Sequence, residues 1–209
     1  MATLINVCSP PSGGTTYAIS KWQPDECPAK SAAYLRAIDD ELHRPGGQGM
    51  FAFEHSDLVA CGASIFGVFA QTGASAEFAG ALYSTIDAGG QQWIKGAIVA
   101  PAFRGIGLLK VLASYARLHA RDDLGHASES LGVVRVYPDG SVNTPSLRSF
   151  VAAGLTERLS ENRLPIKGER FDRHLLATAE EGGTFRSITL RGDASSLPTA
   201  RAVIQAWED

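Results

Sequence analysis

Cysteine is scarce in this chain: three in 209 residues, Cys8, Cys27 and Cys61, with no CxxC pairing. Odd in number and widely spaced, they exclude a disulfide framework and a zinc site, and they read as reduced, mostly buried thiols. The five histidines also lack close ligand spacing, His119 and His126 lying seven residues apart, so no metal is expected. Long apolar runs are missing too. Nothing approaches the roughly 20 residues that a bilayer-crossing helix needs, and Met1 to Pro11 carries no basic segment ahead of a signal-peptide core. No membrane partner is expected, and the cytoplasm is the expected compartment. Charge of one sign is also absent: 19 Lys and Arg stand against 22 Asp and Glu, and the basic residues are scattered. That distribution lacks the electrostatic footprint of a nucleic-acid binder, so no nucleic acid is expected and a small molecule is the expected partner.

The residues that are there suit one well-cored domain spanning 1–209, 44% of them hydrophobic and free of repeats, heptads and low-complexity linkers. A strand is predicted around Leu4 to Cys8. Asp25 and Pro28 then open a helix with Tyr34, Leu35, Ile38 and Leu42 on its apolar face, stopped by Pro45, Gly46 and Gly47. Met50 to Glu54 and Leu58 to Ala70, joined by His55-Ser56-Asp57, read as an antiparallel hairpin, with Gly62 and Gly67 marking bulges. Phe78 to Ile86 fits either a strand or a short helix. Gln92 to Val99 is strand-like. At Arg104 the period changes: Leu108, Val111, Leu112, Tyr115 and Leu118 recur at helical spacing, with Lys110, Ser114, Arg117 and Arg121 opposite. A β-branched strand follows at Leu131 to Tyr137. Thr144-Pro145 then reads as an N-cap and first helical residue, with the helix ending at Gly154. Strands are predicted at Leu155 to Leu159, Arg173 to Thr178 and Thr184 to Arg191, and a last helix from Pro198 to Trp207. Alternating strands and helices make the class α/β or α+β, with a mixed sheet.

The segment that carries chemistry is a strand, then Pro101-Ala102-Phe103-Arg104-Gly105-Ile106-Gly107-Leu108-Leu109, then a helix. Glycines let backbone N–H groups converge, and a helix starting there adds its positive end, so the turn suits an anion such as a pyrophosphate, with Arg104 reinforcing the charge. It is not a P-loop, which needs GxxxxGK[ST], nor a dinucleotide fingerprint, because Lys110 occupies the last required position.

This loop resembles the GNAT superfamily of acyl-CoA-dependent N-acyltransferases, whose phosphate loop reads Arg/Gln-x-x-Gly-x-Gly/Ala. Arg104 and Gly107 match that pattern, and Leu109 departs from it. A second match lies downstream, where Asn143-x-x-Ser146 opens a helix that runs through Phe150 to Gly154-Leu155. The resemblance covers roughly Gln92 to Leu159. It implies a mixed, mostly antiparallel twisted sheet flanked by helices, with residues 179–209 as a strand-helix extension that it does not explain.

By the same resemblance, acetyl-CoA or another acyl-CoA is the co-substrate. The backbone of Ile98 and Val99 would pair with the pantetheine arm, the amides of Arg104, Gly105, Ile106, Gly107, Leu108 and Leu109 would hold the pyrophosphate, and Asn143 and Ser146 would flank the thioester. Plainer readings stand beside these: core strand residues at Ile98 and Val99, a tight turn at Gly105 and Gly107, a helix cap at Asn143 or Thr144. An amine acceptor, on a small molecule or a protein, must lose a proton before it attacks a thioester. Glu54, Glu77, Asp87 and Glu129 are candidate bases, though each also reads as a solvated carboxylate. Where relatives carry a tyrosine that protonates the departing thiolate, this chain has Phe150, so Tyr137 and Ser146 are the candidate catalytic hydroxyls. A catalytically inactive acyl-CoA-binding module is the alternative, and the segment Thr184 to Trp207 leaves room for a homodimer interface.

Overall fold

A computed structural model describes residues 3–8, 15–44, 53–122, 129–137, 139–165 and 184–208. Eight strands form one sheet. In chain order they are β1 (Thr3–Cys8), β2 (Thr16–Trp22), β3 (Ser64–Thr72), β4 (Ser75–Ile86), β5 (Gln92–Val99), β6 (Glu129–Val136), β7 (Glu157–Pro165) and β8 (Thr184–Asp193). Their order across the sheet is β1-β2-β3-β4-β5-β6-β8-β7, and every neighbouring pair is antiparallel except β5–β6. The helices are α1 (Pro28–His43), α2 (His55–Ala60), α3 (Leu108–Asp122), α4 (Thr144–Ala152) and α5 (Leu197–Glu208). The mixed, mostly antiparallel sheet flanked by helices is the architecture expected above.

Two cores lie on the two faces of the sheet. The larger packs α3 and α4 against the strands through Leu108, Leu112, Phe150 and Leu155. The smaller packs α1 and α2 through Tyr34, Ile38 and Leu58 over Trp22, Ile65, Ala81 and Ile98. Residues 184–208, which the family resemblance left unexplained, are integral to this arrangement: β8 is inserted between β6 and β7, and α5 packs along α3.

Local chemistry accounts for the places where the structure departs from the expected elements. The hairpin turn expected at His55-Ser56-Asp57 is the first turn of α2. The Glu54 N–H donates to the Asp57 carboxylate at 2.7 Å, a capping contact, and Gly62 at φ +62° ends the turn, so the strand starts only at Ser64. Phe53 and Glu54 are not in a strand, while residues 50–52 lie outside the described residues. Gly67 marks no bulge; a Cβ there would lie 2.4 Å from the Trp22 ring, and the β3–β4 register shift falls between Val68 and Phe69. The ambiguous Phe78–Ile86 segment is strand, and β2 was not anticipated. Asn143, not Thr144, is the N-cap of α4. The polar stripe expected on α3 is buried at Ser114 and Arg117, because α5 covers that side of the helix. Cys61 is exposed and Cys27 half-buried, so those thiols are not core residues; Cys8's side chain and the strand expected at Arg173 to Thr178 lie outside the described residues.

Candidate functional site

The parallel pair β5–β6 holds over three rungs only, Gln92–Ser130, Trp93–Leu131 and Ile94–Gly132. Beyond them β5 continues on β4 alone, and β6 continues on β8. The sheet therefore parts into a wedge between Lys95–Val99 and Val133–Val136. Its two edges differ. On the β6 side the chain folds back on itself, Tyr137 N–H reaching the Ser141 oxygen at 2.7 Å and Asn143 N–H the Arg135 oxygen at 2.9 Å. The β5 edge has no strand beside it among the described residues.

A bulge drives the parting. Gly96 and Ala97 together face Leu82, and Gly96 takes φ +59°. A bulge of this kind raises local twist and turns the strand away from its neighbour. The Tyr34 hydroxyl, buried under α1, donates to the Gly96 carbonyl at 2.5 Å and fixes the bulge from behind. A Cβ on Gly96 would stand 2.5 Å from that hydroxyl oxygen and 2.7 Å from the Tyr83 ring, so only glycine fits. The Ala100 N–H points to Ala79, at 2.9 Å. By antiparallel alternation the peptide groups of Ile98 also face β4, and those of Val99 face the wedge. Val99 thus offers the wedge a backbone edge, while the side chain of Ile98 is core.

The wedge opens onto the glycine turn. Gly105 and Gly107 take φ +86° and +87°, and α3 starts at Leu108. Val111 N–H caps back to the Gly107 oxygen, so the amides of Leu108, Leu109 and Lys110 have no intrahelical acceptor and sit at the helix's positive end. A Cβ at Gly105 would meet nothing within 4 Å, so the turn faces open space there, with Ile106 exposed beside it. Leu108 and Leu109, 1% and 9% exposed, send their side chains into the core and away from the turn. The bulk of Leu109, the position at which the resembled pattern has Gly or Ala, therefore does not fill the space in front of the turn.

Arg104 is spent elsewhere. Its Nε donates to the Val99 oxygen at 3.0 Å and its Nη2 to Glu41 at 2.7 Å. Glu41 also binds Arg44 at 2.6 Å, and Arg44 lies within electrostatic reach of Tyr137 across the wedge. The end of α1 is thus tied through Glu41 and Arg104 to the Val99 oxygen. Burial pushes the Glu41 carboxyl up, but hydrogen bonds from Arg44 and Arg104 outweigh it and hold the group below its ordinary value. The cation that serves the turn is instead Lys110: its Cε and Nζ would lie 2.8 and 3.5 Å from a Cβ on Gly107. The helical period had set it aside as one of the polar-face residues.

The opposite wall carries the remaining expected residues. Asn143 caps α4 by accepting the Ser146 N–H at 3.3 Å, which is its plainer role. Ser146 and Tyr137 are half-buried, and the Arg135 guanidinium stands 5.8 Å from the Tyr137 ring centre. Phe150 is 1% exposed and its ring lies over Gly132, at the last rung before the wedge opens. Of the candidate bases, Glu54 caps α2, Asp87 accepts Gly89 N–H, Gln91 N–H and the Trp93 indole, and Glu129 binds Gln91 and Arg191. Glu77 is exposed on β4. Gly96, Lys95 and Glu41 were not singled out beforehand and Tyr34 only as an apolar-face residue, although a glycine inside a strand pattern is a bulge signal that pointed to the first of them.

No family model matches this sequence, and no curated protein is detectably similar to it. Solved structures do match. A provisionally assigned acetyltransferase of Acinetobacter baylyi superposes with a TM-score of 0.58 at 12% identity, covering 87% of this chain and 94% of that one. The chain has the GNAT fold. A GNAT-family protein of Desulfovibrio desulfuricans, provisionally named an acetyltransferase, matches with a TM-score of 0.53 at 16% identity over 85% of this chain and 98% of its own. The spermidine N-acetyltransferase of Vibrio cholerae, solved with CoA and spermine, matches with a TM-score of 0.53 at 12% identity over 86% and 98%. Within the GNAT fold the wedge and glycine turn of this chain stand together at one end of β5. Among the described residues no helix is long and apolar enough to cross a membrane, and no His/Cys/Asp/Glu group is placed to hold a metal.

Proposed function

We propose that this chain is an acyl-CoA-dependent N-acyltransferase that passes an acetyl or other short acyl group to a primary amine of a small molecule or protein. The observation that carries this reading is the unpaired β5 edge ending at a glycine turn on a helix N-terminus. An elongated ligand with amides along its length and a diphosphate at one end fits both features together. The amides of Leu108, Leu109 and Lys110 would take the diphosphate, with the Lys110 ammonium beside it. The Val99 N–H would pair with an amide of the pantetheine arm, which then runs back along β5 toward Gly96 and Lys95.

The chemistry asks little of the leaving side. A thiolate with a pKa of about 8.5 departs without an acid, so Phe150 does not forbid transfer. The amine is the harder partner; at about pKa 10.4 only one molecule in a few thousand is neutral at pH 7, and the acceptor must shed its proton on the way in. Tyr137, at the end of β6, and Ser146, in the first turn of α4, are the hydroxyls that could protonate the departing thiolate. A second reading, a module that binds acyl-CoA without turnover, is favoured by the buried Phe150 in place of a proton donor.

Native mass spectrometry of freshly purified protein tests the cofactor, and thiol release from acetyl-CoA with panels of amines tests the reaction. Co-purified CoA with amine-dependent thiol release supports the transferase. Stoichiometric CoA without release supports the module, and no CoA binding at all defeats both.

A further inference from the structure

The wedge closes at Ile94–Gly132, and the next residue on β5 is Lys95. It lies four positions before Val99, about 13 Å of strand at roughly 3.3 Å per residue. A pantetheine arm anchored at the glycine turn is long enough to bring its thioester to this closed end. What waits there is chemically specific. Lys95 lies on the α1 face of the sheet, opposite Tyr83, and its ammonium stands 5.1 Å from the Trp93 ring centre. Phe53 packs against both Tyr83 and Tyr34, so the neighbouring wall is aromatic.

No carboxylate among the described residues comes within ion-pair range of Lys95. Asp87 has already committed its oxygens to its own turn and to the Trp93 indole. Glu41 is held between Arg44 and Arg104. Glu54 and Asp57 are engaged at the start of α2. Each of these carboxylates is thus engaged by other donors, and none of them contacts the Lys95 ammonium. Asp87 acts on Lys95 only at a distance, so the half-buried ammonium has no carboxylate in contact with it and can still take an anion. Burial lowers the Lys95 pKa, and the more distant Cys61 and Asp87 oppose it without cancelling it.

Resting on the acyltransferase reading above, we propose that the acceptor is an amine that also carries a carboxylate, with an apolar or aromatic body: an amino-acid-like molecule whose carboxylate pairs with Lys95 while its body packs on Tyr83 and Phe53. A polyamine, the ligand class of the spermidine enzyme that shares the fold, would meet cations where it needs carboxylates. The transfer itself balances simply. The neutral amine nitrogen attacks the thioester carbon, the C–S bond breaks, an amide forms, and the proton lost by nitrogen ends on the CoA thiolate or in water.

Matched pairs test this: L-phenylalanine against phenethylamine and L-leucine against isopentylamine, with spermidine as the polycation, in acetyl-CoA thiol-release assays. The amino acid of each pair is expected to lead in kcat/KM by about 30-fold, within the range of one charge-assisted hydrogen bond, and spermidine to be poor. Lys95→Gln should raise KM for the amino acids roughly 10- to 100-fold and affect the simple amines far less, whereas Lys95→Arg should keep the preference. A wild-type protein that binds CoA but favours the simple amine or spermidine, or accepts none of them, overturns the proposal; so does a Lys95→Gln variant that loses both members of a pair equally. Absence of CoA binding by calorimetry is a different result, striking the underlying acyltransferase reading.

Discussion

The guanidinium of Arg117, in the middle of α3, donates to the main-chain oxygen of Ala153, the residue that caps α4. Its other nitrogen reaches the Asp193 oxygen at 3.0 Å and the Ser196 hydroxyl at 2.8 Å. One buried cation therefore ties together the ends of α4 and β8 and the start of the α5 segment. Burial pulls its pKa down to about 10, the nearby Asp193 opposing, so the contact is held against a desolvation cost. The arrangement also explains two glycines. A Cβ on Gly154 would sit 2.6 Å from Arg117 Nη1 and 2.7 Å from the Ser196 oxygen, and one on Gly192 would sit 2.4 Å from the Gly154 oxygen.

Gly154→Ala is accordingly expected to destabilise the fold by more than about 2 kcal/mol, since it adds a backbone clash to a positive φ of +86°. Arg117→Met should cost about 3 kcal/mol by leaving buried carbonyls unpaired. Because both act on one cluster, urea denaturation of the double variant should show less than the sum of the two losses. Additivity would mean that the guanidinium does not set the position of Gly154.

Glu41 supplies a pH signature. Its folded pKa lies below the ordinary value of 4.5, so its stabilising contribution is present above that value and is lost as pH falls through the folded pKa. Glu41→Gln should lower stability at neutral pH by about 0.5–1 kcal/mol, a figure kept small by solvent screening. Once the pH has fallen below the folded pKa the two proteins should unfold alike, because wild-type Glu41 is then itself uncharged. A deficit that persists undiminished in acid would assign the loss to packing.

How much of this was legible in advance follows from which interactions are local. The α3 period and the glycines before it lie within one short segment, and both were readable from residue type and spacing. The helix at His55 was not, because Ala, Val and Leu flanking a short polar run suit a hairpin equally well, and only the Asp57 contact to the Glu54 amide decides it. Arg117 looked solvated because a helical wheel cannot know that α5, eighty residues on, covers that side. Arg104 was expected to face the anion, yet Glu41, 63 positions earlier, captures it. The wedge itself is a product of sheet topology. It needs β6 to follow β5 in parallel and the Tyr34–Gly96 contact to turn β5 aside, and neither is written in any one stretch of chain.

Lys110 should report on the phosphates alone. Lys110→Ala is expected to weaken CoA binding about 5- to 10-fold at low salt, with the difference shrinking as ionic strength rises. Binding of pantetheine, which lacks the diphosphate, should be unchanged by the substitution. Isothermal titration with both ligands makes the comparison, and an equal loss for the two would mean that Lys110 shapes the turn rather than meeting the charge.

Phe150 offers the sharpest test of the chemistry, because it carries no proton yet lies beside the last rung of the wedge. Phe150→Tyr adds one hydroxyl at the far end of the ring. If that end reaches the wedge, the phenol can protonate the departing thiolate, and since the thiolate is already a good leaving group the gain should be modest, about 10-fold in kcat with CoA affinity unchanged. The added rate should fall away toward about pH 10 as the phenol itself ionises. If the ring end is sealed in the core, the hydroxyl is buried without a partner instead, costing about 1–2 kcal/mol and lowering Tm by roughly 3–6 °C. A colder melting point with no gain in rate would therefore place position 150 outside the reacting space.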